Sequence, residues 1–279
     1  MPAPQESTPV PTQPKRYRVP HLRASKEAGR PITMLTAYNA VTARIFDAAG
    51  VDSLLVGDSI GNNMLGYPST LPVTVDQMVV ATRAVAGAAA RALVVADLPF
   101  GSYEASAAQA HATAVRLMKE GGAGAVKLEG GQHMVEQVRL LSTTGIPVVG
   151  HLGLTPQSEN VFGGMKVQGR GEAAAQKLLA DALALEAAGA VAIVLEMVPG
   201  PLATRVTKEL AIPTIGIGAG VECDGQVLVW TDMAGMADWA PKFSRAFGQV
   251  GAALSAAAGD YVGAVRERTF PGPEHTFDE

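Results

Sequence analysis

Cysteine is nearly absent from this chain: Cys223 stands alone among 279 residues. A single thiol excludes an intrachain disulfide and any cysteine-rich zinc site, and it suits a reducing cytoplasm. Basic residues are not in excess either. Lys and Arg total 22 against 26 Asp and Glu, a formal net charge of -4, which argues against a nucleic-acid partner. No apolar run approaches the roughly 18 residues of a membrane span, and the first residues lack the apolar centre of a signal peptide. The expectation is a cytoplasmic protein acting on small molecules, with neither nucleic acid nor membrane as partner.

What is present is apolar and small. Hydrophobic residues make up 48%, aromatics only 5%, and there are 31 glycines. Small side chains suit close packing of helices on a sheet. Residues 1–20 differ: Pro2, Pro4, Pro9, Pro11, Pro14 and Pro20 alternate with polar residues, so 1–20 reads as a disordered arm and 21–279 as one domain. On this reading, deletion as far as Arg18 is harmless.

Eight short apolar runs read as buried parallel strands: 32–38, 53–58, 93–98, 125–129, 147–152, 192–198, 213–219 and 227–232. Helical patterns at 39–49, 74–90, 106–121, 132–144, 172–188, 201–210 and 242–257 separate most of them, with Thr74 as a cap. Gly50, Gly121, Gly145 and Gly189 are placed to close four helices. The gap between the seventh and eighth runs leaves little room for a helix. Strand and helix alternating eight times predicts a (β/α)8 TIM barrel, with a doubly wound open sheet as the alternative.

Four of the runs end in a carboxylate: Asp58, Asp97, Glu129 and Glu196. A charge is costly inside a buried strand and tolerated just past its C-terminal end. Repetition on successive strands gathers these acids at one mouth of a barrel, where active sites are built. Gathered acids repel unless a cation or a shared proton intervenes. Oxygen ligands without cysteine favour Mg²⁺ or a similar hard ion for Asp58, Asp97 and Glu129. Lys127, two residues before Glu129, shares its face of the strand, which in a barrel is the lumen. It can bind a substrate carboxylate, form a Schiff base or pair with a barrel acid. His151 ends the fifth run between Gly150 and Gly153 as a substrate or structural histidine. Glu196 is open between metal ligand, buried paired acid and general base. The 216–220 segment, Gly-Ile-Gly-Ala-Gly, lacks the spacing of a dinucleotide fingerprint and reads as a tight turn.

Longer motifs resemble those of the ketopantoate hydroxymethyltransferase family. They are Leu55-Val56-Gly57-Asp58-Ser59, Ser69-Thr70-Leu71-Pro72-Val73-Thr74, Ala96-Asp97-Leu98-Pro99-Phe100 and Val126-Lys127-Leu128-Glu129-Gly130-Gly131, followed by Gly150-His151-Leu152-Gly153-Leu154-Thr155-Pro156-Gln157, Lys166-Val167-Gln168-Gly169-Arg170 and Ile215-Gly216-Ile217-Gly218-Ala219-Gly220. The resemblance runs in order from about Pro31 to His275. It implies a barrel that transfers a hydroxymethyl group from 5,10-methylenetetrahydrofolate to 3-methyl-2-oxobutanoate, giving 2-dehydropantoate for pantothenate biosynthesis. It also implies Mg²⁺-stabilised enolate chemistry and a homo-oligomer, a decamer. By the same resemblance Asp58, Asp97 and Glu129 are metal-site acids. Asp58, Ser59, Asp97, Lys127 and His151 contact substrate, and Glu196 is the proton acceptor. The chain departs from the family pattern at Asn39, where many relatives carry Asp, and at Tyr67-Pro68, where His-Asp is expected. The competing readings are another Mg²⁺-dependent lyase of small oxo acids on a related barrel, and a barrel used only for binding.

Overall fold

A computed structural model describes residues 15–236 and 239–277. Its eight strands are β1 (Ile32–Thr36), β2 (Ser53–Val56), β3 (Leu93–Asp97), β4 (Ala125–Glu129), β5 (Val148–Gly153), β6 (Ala192–Glu196), β7 (Thr214–Ile217) and β8 (Gly225–Leu228). They pair in parallel, each with its sequence neighbours, and β8 closes on β1. The alternation of strand and helix therefore produces a closed (β/α)8 barrel of one domain and not an open sheet.

Two layers of packing account for the runs being apolar throughout. Val94, Ala96, Val126, Leu128, Ile193 and Leu195 face outward into the helix-covered core. Leu93, Val95, Ala125, Val149, Ala192 and Val194 alternate with them and fill the lumen. Continuing the same alternation by one or two steps brings Asp97, Lys127, Glu129, His151 and Glu196 to the lumen's upper end. Apolar layers thus floor a polar layer, and strand periodicity places the polar side chains there.

Local signals act as the sequence reading expects at several helix ends. Thr74 caps the helix Val75–Ala88, and Gln77 reaches back to the Thr74 backbone to complete a capping box. Gly50, Gly145 and Gly189 take positive φ at helix ends. At the fourth site it is Gly122, not Gly121, that is left-handed (φ +79), one residue later than expected. No helix joins β7 to β8 among the described residues, and the short connection turns through Gly218 (φ +63) and Gly220 (φ +88).

Several strands end one to two residues before the expected bounds, and three boundaries differ more. Ordered structure begins before residue 20: the helix Val19–Glu27 crosses the lower end of the barrel, and Tyr17 and Leu22 join the lumen cluster at 1% exposure. A proline-rich composition obscured this because Pro20 sits in the helix's first turn, where a missing N–H is harmless. Deletion to Arg18 would remove the buried Tyr17 from this end of the lumen. The remainder of the expected arm, 1–14, lies outside the described residues. The last strand runs Gly225–Leu228, and Trp230 opens a short helix, Trp230–Ala234. The final helix is Val250–Arg266 rather than 242–257. No described helix is long and apolar enough to cross a membrane.

Candidate active site

The upper end of the lumen holds every acid singled out in the sequence. Asp58 lies two residues past β2, Asp97 ends β3, Lys127 and Glu129 lie on β4, His151 on β5, and Glu196 ends β6. Strand register sets Asp97 beside Lys127 and Glu129 beside His151. Asp58, Asp97, Lys127, Glu129 and His151 are buried, whereas the Glu196 side chain keeps 13% of its surface open to solvent.

The contacts join these acids and bases into one network. Lys127 Nζ lies 3.0 Å from Asp97 Oδ1 and 3.4 Å from His151 Nδ1. His151 Nδ1 is 3.2 Å from Glu129 Oε1, and its Nε2 is 3.2 Å from Glu196 Oε2. The Asp58 backbone N–H donates to Asp97 Oδ2 at 3.1 Å, which ties the two aspartates together. Ser59 is half-buried, and its Oγ shares a 2.8 Å hydrogen bond with Tyr38. His151, for which the residues alone left a structural role open, therefore bridges two of the acids.

Burial pushes the Asp58 carboxyl well above the usual carboxylate range, and the charges of Asp97 and Glu129 push it further. Asp97 is raised too, by burial, although Lys127 works against the shift. Burial alone would strip the proton from Lys127, but Asp97, Glu129 and Asp58 outweigh it and the ammonium is held. His151 follows the same logic. Burial and Lys127 oppose its charge, yet Glu129 and Glu196 bring it up to about 9, so the imidazole is charged at neutral pH. Four carboxyl groups then share two cations in a desolvated place, an excess of acidic over basic groups that contributes to raising Asp58.

That excess suits a divalent cation. The donors offered are hard carboxylate oxygens, and Asp97 Oδ1 is buried without a well-aligned hydrogen bond. Among the described residues, no three acid, histidine or cysteine side chains converge as a ready-made cage. Mg²⁺ commonly takes one or two carboxylates and completes its sphere with water and substrate, so the donor set fits it.

The backbone around Glu196 is also specialised. Met197, the next residue, is left-handed (φ +48), an unfavourable conformation for a side-chain-bearing residue. It is held by its N–H donating to the Ile217 carbonyl at 2.8 Å and by its carbonyl accepting from Gln168 N–H at 3.0 Å. Gly153 sits opposite, where a Cβ would come within 2.2 Å of the Glu196 carbonyl oxygen. The close approach of β5 and β6 at this height therefore requires glycine.

Two site residues escaped the sequence reading. Gln157 was visible only as the end of a motif, and Tyr103 carried no signal at all. The Gln157 side-chain amide donates to Asp58 Oδ2 at 2.8 Å, and its backbone N–H donates to Glu129 Oε2 at 3.0 Å. A cavity of about 460 Å³ opens beside them, lined in part by Phe100, Met134, Phe162 and Leu178.

Known proteins resemble this chain in sequence and in fold. A sequence model described as ketopantoate hydroxymethyltransferase matches residues 16–273. The chain is 55% identical over 278 residues to the 3-methyl-2-oxobutanoate hydroxymethyltransferase of Nocardioides sp. (strain ATCC BAA-499 / JS614), covering 99% of this chain and 94% of that one. It is equally similar, 55% over 278 residues, to the protein of that name from Leifsonia xyli subsp. xyli, with 99% and 100% covered. Among solved structures it resembles phosphonopyruvate hydrolase complexed with oxalate and Mg++, with a TM-score of 0.60 at 14% identity and 92% of each chain covered. It also resembles 2,3-dimethylmalate lyase, of the PEP mutase/isocitrate lyase superfamily, at a TM-score of 0.57, 16% identity and coverage of 93% and 91%. At such identities these structures bear on the fold alone.

Proposed function

Because the chain belongs to the ketopantoate hydroxymethyltransferase family, we propose that its acid-lined mouth transfers a one-carbon unit from 5,10-methylenetetrahydrofolate to 3-methyl-2-oxobutanoate, forming 2-dehydropantoate for pantothenate biosynthesis. The observation that supports this most is the buried row of Asp58, Asp97, Lys127, Glu129 and His151 leading to a partly open Glu196.

In this reading Asp58, Asp97 and Glu129 hold Mg²⁺. When bound, the ion supplies Lewis-acid stabilisation of the negative charge that develops as the oxo acid enolises. The residues of the chain do the rest. The Lys127 ammonium, kept charged by three acids, holds the substrate's negative charge. Ser59 offers a hydroxyl already oriented by Tyr38. Glu196 takes the C3 proton, acting as the general base. Its open edge faces the solvent from which the folate must approach. The substrate carbon, now electron-rich, bonds to the methylene carbon, both carbon–nitrogen bonds that hold that carbon in the folate break, water provides the hydroxyl, and the two nitrogens take up the proton carried by Glu196 and the second proton of the water. His151, charged and 3.2 Å from Glu196, orients that carboxylate.

The assembly belongs to the same proposal. Val250–Arg266 buries none of its residues, and Leu254, Tyr261, Val262 and Val265 are exposed on it. An apolar helix left uncovered supports association with further copies, as a ring-built homo-oligomer and specifically a decamer. A reducing cytoplasm suits the lone, buried Cys223.

The deciding experiment mixes the purified chain with 3-methyl-2-oxobutanoate and methylenetetrahydrofolate, with and without Mg²⁺, and follows 2-dehydropantoate. Product that requires both folate and the metal is expected, and no product under any metal would overturn the reading. Sedimentation at micromolar concentration tests the assembly, and a sole monomer boundary would remove it.

A further inference from the structure

Between the acids of the mouth and the cavity beside them lies a short run of neutral hydrogen bonds with a definite direction. Glu129 N–H donates to Tyr103 Oη at 3.2 Å, and Tyr103 O–H donates to Gln157 Oε1 at 2.6 Å. Gln157 Nε2 in turn donates to Asp58 Oδ2 at 2.8 Å and to the Leu98 carbonyl at 3.1 Å. The Gln157 backbone N–H returns to Glu129 Oε2 at 3.0 Å. Tyr103 and Gln157 are both buried, so neither can exchange these partners for bulk water.

The amide has one acceptable orientation. Turned over, its oxygen would face the Asp58 carboxylate and the Leu98 carbonyl, while its NH2 group would face Tyr103. Three favourable contacts would become two repulsive ones. Asp58 and the Leu98 carbonyl fix the NH2 end, and the Tyr103 hydroxyl, which accepts from Glu129 N–H, holds the oxygen end: Gln157 Oε1 at 2.6 Å is the nearer of its two acceptors, the other being the Glu129 carbonyl at 3.3 Å. Asp58 is the acid most pushed toward neutrality, and Gln157 is the neutral side chain that opposes this by hydrogen bonding to it.

We infer that Tyr103 and Gln157 are positioning residues that hold Asp58 and Glu129 in register for the cation, with Tyr103 acting through the orientation of the Gln157 amide. The inference rests on the reading that these acids hold Mg²⁺. Outer groups that orient metal ligands typically change metal affinity by about 10–100-fold when removed. Tyr103→Phe deletes one oxygen and leaves the ring in its packing. Gln157→Met keeps length and removes both polar ends.

The test is calorimetric titration of Mg²⁺ into the full-length protein with 3-methyl-2-oxobutanoate present and folate absent, alongside thermal melting of each variant. Tyr103→Phe should weaken Mg²⁺ binding by about 10-fold or more, and the same substitution placed on Gln157→Met should add almost nothing. Should Gln157→Met not fold, Gln157→Asn takes its place: it keeps an amide and falls one methylene short of Asp58. In steady-state assays the Mg²⁺ requirement should rise more than kcat falls. A folded Tyr103→Phe with wild-type Mg²⁺ affinity overturns the inference, even if its melting temperature drops. Equal losses in both backgrounds also overturn it, because Tyr103 would then act independently of Gln157. Absence of Mg²⁺ binding in the wild-type protein would instead refute the metal reading beneath it.

Discussion

The two ends of the barrel both bury acids, and they treat them in opposite ways. At the lower end Asp52 is surrounded by donors: Thr33 N–H at 3.1 Å, Thr33 Oγ1 at 3.0 Å, Arg30 at 3.3 Å and Arg91 at 3.5 Å. Asp224, nearby, accepts from Lys26 Nζ at 2.8 Å and Thr214 N–H at 2.9 Å. These pairs fasten the plug formed by Tyr17 and the helix Val19–Glu27. At the upper end Asp58, Asp97, Glu129 and Glu196 face each other with only Lys127 and His151 as cations. Saturated acids hold a structure together, while acids short of partners store repulsion that a ligand relieves. Burial is similar at the two ends, so the supply of donors distinguishes them.

The contrast breaks most sharply on the metal acids. Asp58→Ala or Asp97→Ala should cost about 10³-fold or more in Mg²⁺-dependent activity, the scale of several kcal/mol expected of a Lewis acid. Asp58→Ala should leave the melting temperature of the metal-free protein unchanged or higher, since repulsion is removed, whereas Asp97→Ala also breaks the buried pair with Lys127 and should lower it. Kinetics and melting on the same preparations check both. An Asp58→Ala protein that melts early would make the upper end resemble the lower.

Next in size is the base. The C3 hydrogen of 3-methyl-2-oxobutanoate should exchange with heavy water in the presence of enzyme and Mg²⁺ without folate. Glu196→Gln should slow that exchange by about 10²–10⁴-fold, with oxo-acid and Mg²⁺ binding retained. Proton NMR follows it directly. Exchange at the wild-type rate would place the base elsewhere.

The lower end should answer in stability alone. Asp52→Ala strands Arg30 and Arg91, and Tyr17→Ala empties the plug. Each should cost about 3 kcal/mol, read by denaturant unfolding, while activity per folded molecule holds. A large kcat loss in either variant would link the ends more closely than their separation suggests.

The smallest effect is in pH. His151 titrates at about 9 in the folded protein against 6.5 for a free histidine. Folding therefore gains from its charge fully below pH 6.5, and the gain is lost as pH rises toward 9. Asp58 and Asp97, raised by burial from the ordinary value of 3.8, also cost stability as pH rises, and their share begins at that lower pH. The metal-free protein should melt progressively lower across that window, and Mg²⁺ should flatten the dependence. Melting curves with chelator and with Mg²⁺ measure it, and a rising trend in chelator would contradict the assignment.

Much of the architecture could be read from residue order. The β4 run 125–129 and the helix Glu172–Ala188 emerge at their expected bounds, because each is a long or strongly patterned segment with clear ends. Thr74 was legible as a cap since its chemistry acts within one turn. The lower plug was not, because Tyr17 stands in a proline-rich stretch and only the lumen it fills makes it apolar core. The final helix was also displaced: with no face buried in this chain, its pattern had no core to align with.

By itself, residue order determined which acids end strands, and strand periodicity made them share the lumen with Lys127. These are local consequences of a two-residue repeat and of the cost of burying charge in a sheet. Only the tertiary structure decided which acids are satisfied. Gln157 is far along the chain from both Tyr103 and Asp58, and Arg91 is far from Asp52. Their contacts exist because barrel closure and the loops above it bring distant segments within hydrogen-bonding distance. Whether an acid meets donors or other acids depends on that closure, and no local pattern encodes it.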